Sequence, residues 1–110
     1  MGEQTAAGAM DFAYLEAFAS GDMRVVTEVL GLFREQATGW AQGLRGPDAA
    51  VADVLHSIKG TAKSVGANAL GDAAERAELS AAPADLEQVK AALEAAVAEI
   101  EGYLTRVGGG

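Results

Sequence analysis

The stretch DMRVVTEVLGLFREQATGWAQGLRG, residues 22–46, decides the fold of this chain. Its apolar residues recur at alternating steps of three and four positions: Met23, Val26, Leu30, Phe33, Ala37, Trp40 and Leu44. Side chains spaced in this way share one face of an α-helix, which packs against other helices. Asp22 is the predicted N-cap, and Gly46 and Pro47 are predicted to end the helix.

The same helical spacing recurs on both sides of this stretch. It predicts a short helix over residues 11–19, capped by Asp11, and longer helices over about 48–66, 68–80 and from 83 onwards. The residues predicted to face inward are Phe12, Leu15, Phe18 and Ala19; Val51, Leu55, Ile58, Ala62 and Val65; Leu70, Ala73, Ala74 and Ala77; and Leu86, Val89, Leu93, Val97, Ile100, Leu104 and Val107.

These helices predict an all-α fold, because no stretch alternates with a period of two for long enough to form a sheet. The expected architecture is an antiparallel four-helix bundle with a short additional N-terminal helix laid over one end. Residues 10–107 are predicted to form this single domain. Residues 1–9 are predicted to be a disordered tail, and residues 108–110 a flexible one.

Length and composition exclude several classes of function. The chain has 110 residues, the length of one domain, and a formal net charge of −8. So acidic a surface repels phosphate backbones and anionic lipid, so neither a nucleic acid nor a membrane is an expected partner. The absence of cysteine excludes disulfides, thiolate metal sites and cysteine nucleophiles, and fits a cytoplasmic protein.

The only histidine, His56, is predicted to face water. On a helical wheel with Val51 at zero, the inner residues of its helix fall within about 40°. His56 falls about 140° away, with Lys59 at about 80° and Lys63 at about 120°. The imidazole is therefore expected on the outer face of the helix, close to two lysines.

The surroundings of His56 suit a bound anion. Gly60 lies one turn later on the same outer face and leaves the imidazole open to a second protein. Residues 54–71 contain no acid, although the chain holds 16. Because imidazole titrates near pH 6.5, it is a good nucleophile at cytosolic pH, and the two lysines would attract an anion attached to it.

The motif HSIKGTA at residues 56–62, followed by VGA at 65–67 and by Leu70, resembles the signature of the histidine-containing phosphotransfer (HPt) domain of phosphorelays. The resemblance extends over about residues 10–107. Ala77 and Glu78 lie where the family usually has an apolar residue followed by glutamate. Many members have a large apolar residue where this chain has the small Ala77.

The resemblance implies that His56 accepts a phosphoryl group from an aspartyl phosphate on a receiver domain and passes it reversibly to another receiver's aspartate. Lys59 and Lys63 are the candidate phosphate-stabilising residues, and Gly60 would give clearance to the docking receiver. The receiver would belong to a hybrid histidine kinase or a response regulator. Such a chain has no ATP site and no cofactor of its own, and the receiver would supply magnesium.

An apolar patch around His56 is the predicted docking surface, framed by Val54, Val65, Ala67 and residues of the short first helix, such as Phe12 or Leu15. An alternative function is an adaptor or inhibitor that binds a receiver or kinase through this surface without carrying phosphate. The intact His-x-x-Lys-Gly argues against it, because an adaptor needs no imidazole. A carboxylate-bridged metal bundle is dismissed because the chain has no second histidine, so no metal site is expected. We expect a monomer.

Overall fold

The computed structural model describes residues 9–108, and within them it contains five helices and no strand. The helices are α1 (Phe12–Phe18), α2 (Met23–Gly43), α3 (Asp48–Ser64), α4 (Asn68–Ser80) and α5 (Pro83–Gly108). Short connections join the four helices α2, α3, α4 and α5 into an antiparallel bundle. Both α2 and α4 pack on α3 and α5. This confirms the predicted all-α bundle with a short N-terminal helix. None of these helices is both long and apolar enough to cross a bilayer.

The apolar faces predicted from the spacing form the core. Val26, Leu30, Phe33 and Ile58 are almost fully buried, as are the small residues of the inner face of α4. Besides Phe18 of α1, two predicted core residues are exposed: Met23 at 38% and Val107 at 40%. Both lie in a terminal turn of a helix, at the end of the bundle, where the neighbouring helices cover them incompletely.

The two predicted N-caps are present. A carboxylate oxygen of Asp11 accepts a hydrogen bond from the Tyr14 backbone N–H at 3.0 Å, and Asp22 accepts one from the Arg24 N–H at 3.0 Å. These contacts satisfy backbone donors in the first turns of α1 and α2 that have no partner within the helix. Both helices therefore start where the sequence predicts.

The segment before α1 belongs to the domain, which corrects the prediction that residue 9 lies in a disordered tail. The carboxylate of Glu99 on α5 accepts hydrogen bonds from the backbone N–H groups of Ala9 and Met10, each at 3.0 Å. Both residues are buried. At the other end, α5 continues through Gly108, so the predicted tail does not begin there. The rest of both predicted tails, residues 1–8 and 109–110, lies outside the described residues.

Tyr103 on α5 holds α1 against the end of the bundle. Its ring stacks on Phe12 with the centroids 4.3 Å apart, and its hydroxyl donates a hydrogen bond to the Glu16 carboxylate. Burial, together with Glu16, raises the pKa of Tyr103 to about 12. The phenol therefore remains a proton donor throughout the physiological range.

The turn between α3 and α4 supplies a second attachment for α1. Gly66 has φ +87°, a conformation that side-chain-bearing residues rarely adopt. Its carbonyl accepts a hydrogen bond from the Asp11 backbone N–H at 2.8 Å. A Cβ at residue 66 would lie 2.8 Å from the Asp11 carbonyl oxygen. Both the backbone conformation and the close approach of α1 therefore require glycine here.

We predict that Gly66→Ala lowers the free energy of unfolding by about 1–3 kcal/mol, measured by urea denaturation, because alanine adds backbone strain and a steric overlap. Gly39→Ala is the matched control, since a Cβ at that exposed helical position meets nothing within 4 Å. It should raise the stability by up to about 1 kcal/mol. Similar effects of the two substitutions would contradict the role assigned to the turn.

Candidate functional site

His56 projects from the outer face of α3, as the helical wheel predicts. Leu55, Ile58 and Ala62 on the opposite side of this helix are buried, and their burial fixes the rotation of α3 about its axis. The His56 side chain is 78% exposed. A rigid helix therefore presents the imidazole to solvent, where another protein can reach it.

Glu78 on α4 lies beside both His56 and Lys59. One carboxylate oxygen is 3.4 Å from His56 Nδ1, and the other is 3.2 Å from Lys59 Nζ. The first separation is long for a strong hydrogen bond. Because the carboxylate faces Nδ1, it favours a ring with its proton on that nitrogen. Nε2 is then left with a free lone pair.

This contact of Glu78 was not predicted from the sequence, although a signal for it exists. His56 comes 11 residues before Ala67 in the α3–α4 turn, and Glu78 comes 11 residues after it. In two antiparallel helices joined by a short turn, residues equally far from the turn lie at the same level. The helical wheel gives the direction of a residue around the axis of one helix. Counting residues from the turn shows which residues of the two helices lie at the same level.

Lys63 is held by acids of α4 rather than being free beside His56. Its Nζ lies 3.0 Å from a carboxylate oxygen of Glu75 and 3.6 Å from one of Asp72. The side chain crosses Gly71, where a Cβ would lie only 2.7 Å from Lys63 Cγ. Lys63 therefore connects α3 to α4. Residues 54–71 contain no acid in the sequence, but in the folded structure α4 brings three carboxylates close to the two lysines.

The ion pair between Lys63 and Glu75 shifts the pKa of both groups. The hydrogen bond and charge of Glu75 raise the pKa of Lys63, and the same interactions lower the pKa of Glu75. Both groups therefore remain ionised at neutral pH. A phosphoryl group would have to compete with two carboxylates for this ammonium.

Gly60 leaves open space on the outer face of α3, one turn after His56. A Cβ built there meets no atom within 4 Å. Glycine is thus not required by packing inside this chain, and it costs up to about 1 kcal/mol of helix stability relative to alanine. Its position next to the imidazole leaves room for a partner's surface.

Val65 and Ala67, predicted to contact a partner, are buried at 8% and 0% exposure, and this part of the docking prediction is wrong. Val65 completes the inner stripe of α3, and Ala67 lies in the turn next to Gly66, on which the start of α1 packs. Neither can be reached by another protein without rearrangement. Val54 is half-buried because its side chain packs directly on Gly43, where a Cβ would overlap it.

The accessible apolar side chains of α1 also differ from those predicted. Leu15 is buried, and Phe12 is partly buried beneath its stacking contact with Tyr103. Phe18, predicted to face inward, is 71% exposed, and Tyr14 is 46% exposed. Phe18 lies about 120° around the helix from Phe12, outside the narrow inner stripe of so short a helix.

Comparisons with known proteins identify one matching family and one similar solved structure. The family model of the Hpt domain matches residues 25–103. The crystal structure of the histidine phosphotransferase ShpA from Caulobacter crescentus is similar, with 48% sequence identity and a TM-score of 0.82. That alignment covers 90% of this chain and 93% of the other. A search of curated proteins found no match.

We predict that the Glu75 carboxyl titrates below its ordinary pKa of 4.5 and returns towards 4.5 in Lys63→Met. Because this pKa is lowered in the folded state, the ion pair stabilises the fold above about pH 4.5 and is lost as the pH falls through the lowered value. Carbon-detected NMR of the carboxyl groups measures the titration. Lys90→Met is the control, because Lys90 pairs with Glu87 instead, and an unchanged Glu75 titration in Lys63→Met would contradict the assignment.

Proposed function

This chain belongs to the Hpt domain family and is a phosphotransfer protein of two-component signalling, and we propose that His56 is the residue that carries the phosphoryl group. The observation that supports this most directly is the exposed imidazole with Glu78 at its Nδ1 atom. His56 is also the only histidine in the chain. The open surface at Gly60 gives a partner access to it.

In the proposed reaction, the Nε2 lone pair of His56 attacks the phosphorus of an aspartyl phosphate on a receiver domain. The bond from phosphorus to the aspartate oxygen breaks, and the aspartate leaves as a carboxylate. The Nδ1 proton stays on the ring, which gains positive charge as the new P–N bond forms. Glu78, 3.4 Å from Nδ1, stabilises that charge and keeps the ring oriented. The reverse reaction passes the phosphoryl group to another receiver's aspartate.

Lys59 is the residue we propose to hold the phosphoryl oxygens. Its ammonium lies 3.2 Å from Glu78 and is partly exposed, so it can turn towards a phosphoryl group one helical turn away. Lys63 was the second candidate for this role. Its pairing with Asp72 and Glu75 favours a structural contribution instead.

The partner in this proposal is a receiver domain of a hybrid histidine kinase or of a response regulator. We propose that the receiver supplies the magnesium ion that neutralises the transferring phosphoryl group, because this chain has few groups that could do so. We propose that the chain acts as a monomer in the cytoplasm. A single copy already buries a continuous core, so its fold does not require a second copy.

Incubation of this chain with a phosphorylated receiver domain and magnesium tests the proposal. We expect acid-labile, base-stable phosphate on the wild type and none on His56→Gln. Mass spectrometry of the labelled peptide identifies the modified residue. Binding of the receiver without label on His56 would support the adaptor function instead. ATP and magnesium alone should label nothing, and label in that arm would contradict the absence of kinase activity.

Two lysine substitutions form a matched pair for the assignment of the phosphate contact. Lys59→Met should slow transfer from the receiver by about tenfold, equivalent to about 1.4 kcal/mol of lost transition-state stabilisation. Lys63→Met should change the rate by less than about threefold, because its ammonium is occupied by α4 carboxylates. Rapid-quench rates report the difference, and thermal unfolding confirms that both variants fold. A larger effect of Lys63→Met would reverse the two roles.

A further inference from the structure

A cleft of about 270 Å³ opens between α3, α4 and α5, directly beside the His56 site. Its lining combines apolar residues with two carboxylates at the rim: Asp48, Val51, Ala52, Leu55, Ala77, Glu78, Ala81 and Leu86. Val51, Leu55 and Ala77 are buried and form its floor. Ala52 and Ala81 are exposed and form part of its edge.

Small side chains create this cleft. Ala52, Ala77 and Ala81 contribute only methyl groups where α3 and α4 face each other next to the start of α5. Ala77 also lies at the position where many members of the Hpt family have a large apolar residue. The space that a larger side chain would occupy is therefore left open in this chain.

The cleft is continuous with the surface that a receiver must cover to reach His56. Glu78 lines the cleft and also contacts His56 Nδ1. Ala52 lies one helical turn before His56 on α3, about 6 Å along the helix axis. A protein that brings an aspartate to the imidazole therefore also covers the mouth of the cleft.

The size of the cleft favours a side chain over a cofactor. Pockets for drug-sized ligands and cofactors are typically about 300–1,000 Å³, so 270 Å³ falls just below that range. Apolar side chains that insert into such clefts commonly contribute much of the affinity of a protein interface. The buried floor offers valine, leucine and alanine surfaces to such a side chain.

Asp48 lies on the rim of the cleft and indicates which charge should lie beside the inserted side chain of the partner. Glu78 is already neutralised by Lys59 and lies beside His56. Asp48 is exposed and has no ion pair within residues 9–108. A cation next to the inserted side chain would therefore be attracted to this rim.

We propose that this cleft is an anchor pocket for the receiver domain, which inserts one large apolar side chain flanked by a lysine or arginine that meets Asp48. The inference rests on the proposed function, because it assigns the occupant to the partner that reaches His56. It makes the cleft a determinant of which receivers this chain accepts. The apolar insertion provides affinity, and the charge at the rim selects among partners.

Ala52→Leu tests the apolar part of the pocket by filling it from its edge. The matched control is Ala49→Leu, which adds the same side chain at an exposed α3 position outside the cleft. We expect Ala52→Leu to raise by at least about tenfold the receiver concentration needed for half-maximal transfer, with little change in the rate at saturation. Ala49→Leu should leave both values within about twofold.

Phosphorylation of His56 by phosphoramidate, a small phosphoryl donor that needs no docking surface, separates the two proposals. Ala52→Leu should react with it at the wild-type rate. Equal transfer from the receiver to the wild type and to Ala52→Leu would overturn the anchor pocket while leaving the proposed function intact. Failure of the wild type to accept phosphate from any receiver would overturn the proposed function itself. Loss of the phosphoramidate reaction in Ala52→Leu would also overturn the pocket, because the substitution would then act on His56.

Asp48→Lys tests the charged rim, with Glu94→Lys in the groove between α2 and α5 as the control for the same change of net charge. We expect the half-saturating receiver concentration to rise for Asp48→Lys and the difference from wild type to shrink at high salt, where such attraction is screened. An equal rise for Glu94→Lys would mean that overall charge, and not the rim, is responsible.

Discussion

The packing of α3 on the alanine-rich face of α4 is the constraint on which the functional site depends. The buried Ala73, Ala74 and Ala77 allow the two helices to approach closely, and the buried apolar stripe of α3 then fixes its rotation. This rotation sends His56 outward and brings Glu78 alongside it. Gly71 contributes to the same approach by allowing Lys63 to lie across α4 towards two carboxylates. The exposed imidazole, the carboxylate beside it and the neighbouring cations are thus consequences of one helix–helix contact.

The sequence predicts what depends on periodicity along a single helix, and it fails where the answer depends on two helices together. The buried faces, both aspartate caps and the outward direction of His56 follow from spacing alone. The partners of Lys59 and Lys63 do not, because ion pairs between helices depend on their register and tilt. Val65 was predicted both to face inward and to frame the docking patch, and its burial agrees only with the first. The burial of Ala67 was missed for a related reason. The wheel identifies an inner stripe, but it does not show that the start of α1 packs on the turn beyond its end.

The end of the bundle remote from the α2–α3 connection is closed by polar contacts as much as by apolar ones. Glu99 binds two backbone N–H groups of the segment before α1, and Tyr103 combines a stacking contact with a hydrogen bond to Glu16. A helix of seven residues is too short to be stable alone in water, so these contacts provide much of what holds it. They also orient it, which explains why Tyr14 and Phe18 remain on the outside while Leu15 is buried.

The charges around His56 suit a carrier better than a binding site. Lys59 and Lys63 face Asp72, Glu75 and Glu78, so the cluster bears no excess of positive charge while the imidazole is neutral. A strongly cationic pocket would bind the phosphoryl group tightly once it had arrived, and that stabilisation of the ground state would slow its departure. Lys59 must leave Glu78 before it can contact the phosphoryl group, so it would bind that group less tightly. The proposed reversible transfer between two aspartates requires that the intermediate be neither too unstable to form nor too stable to pass on, and a cluster without excess positive charge is consistent with that requirement.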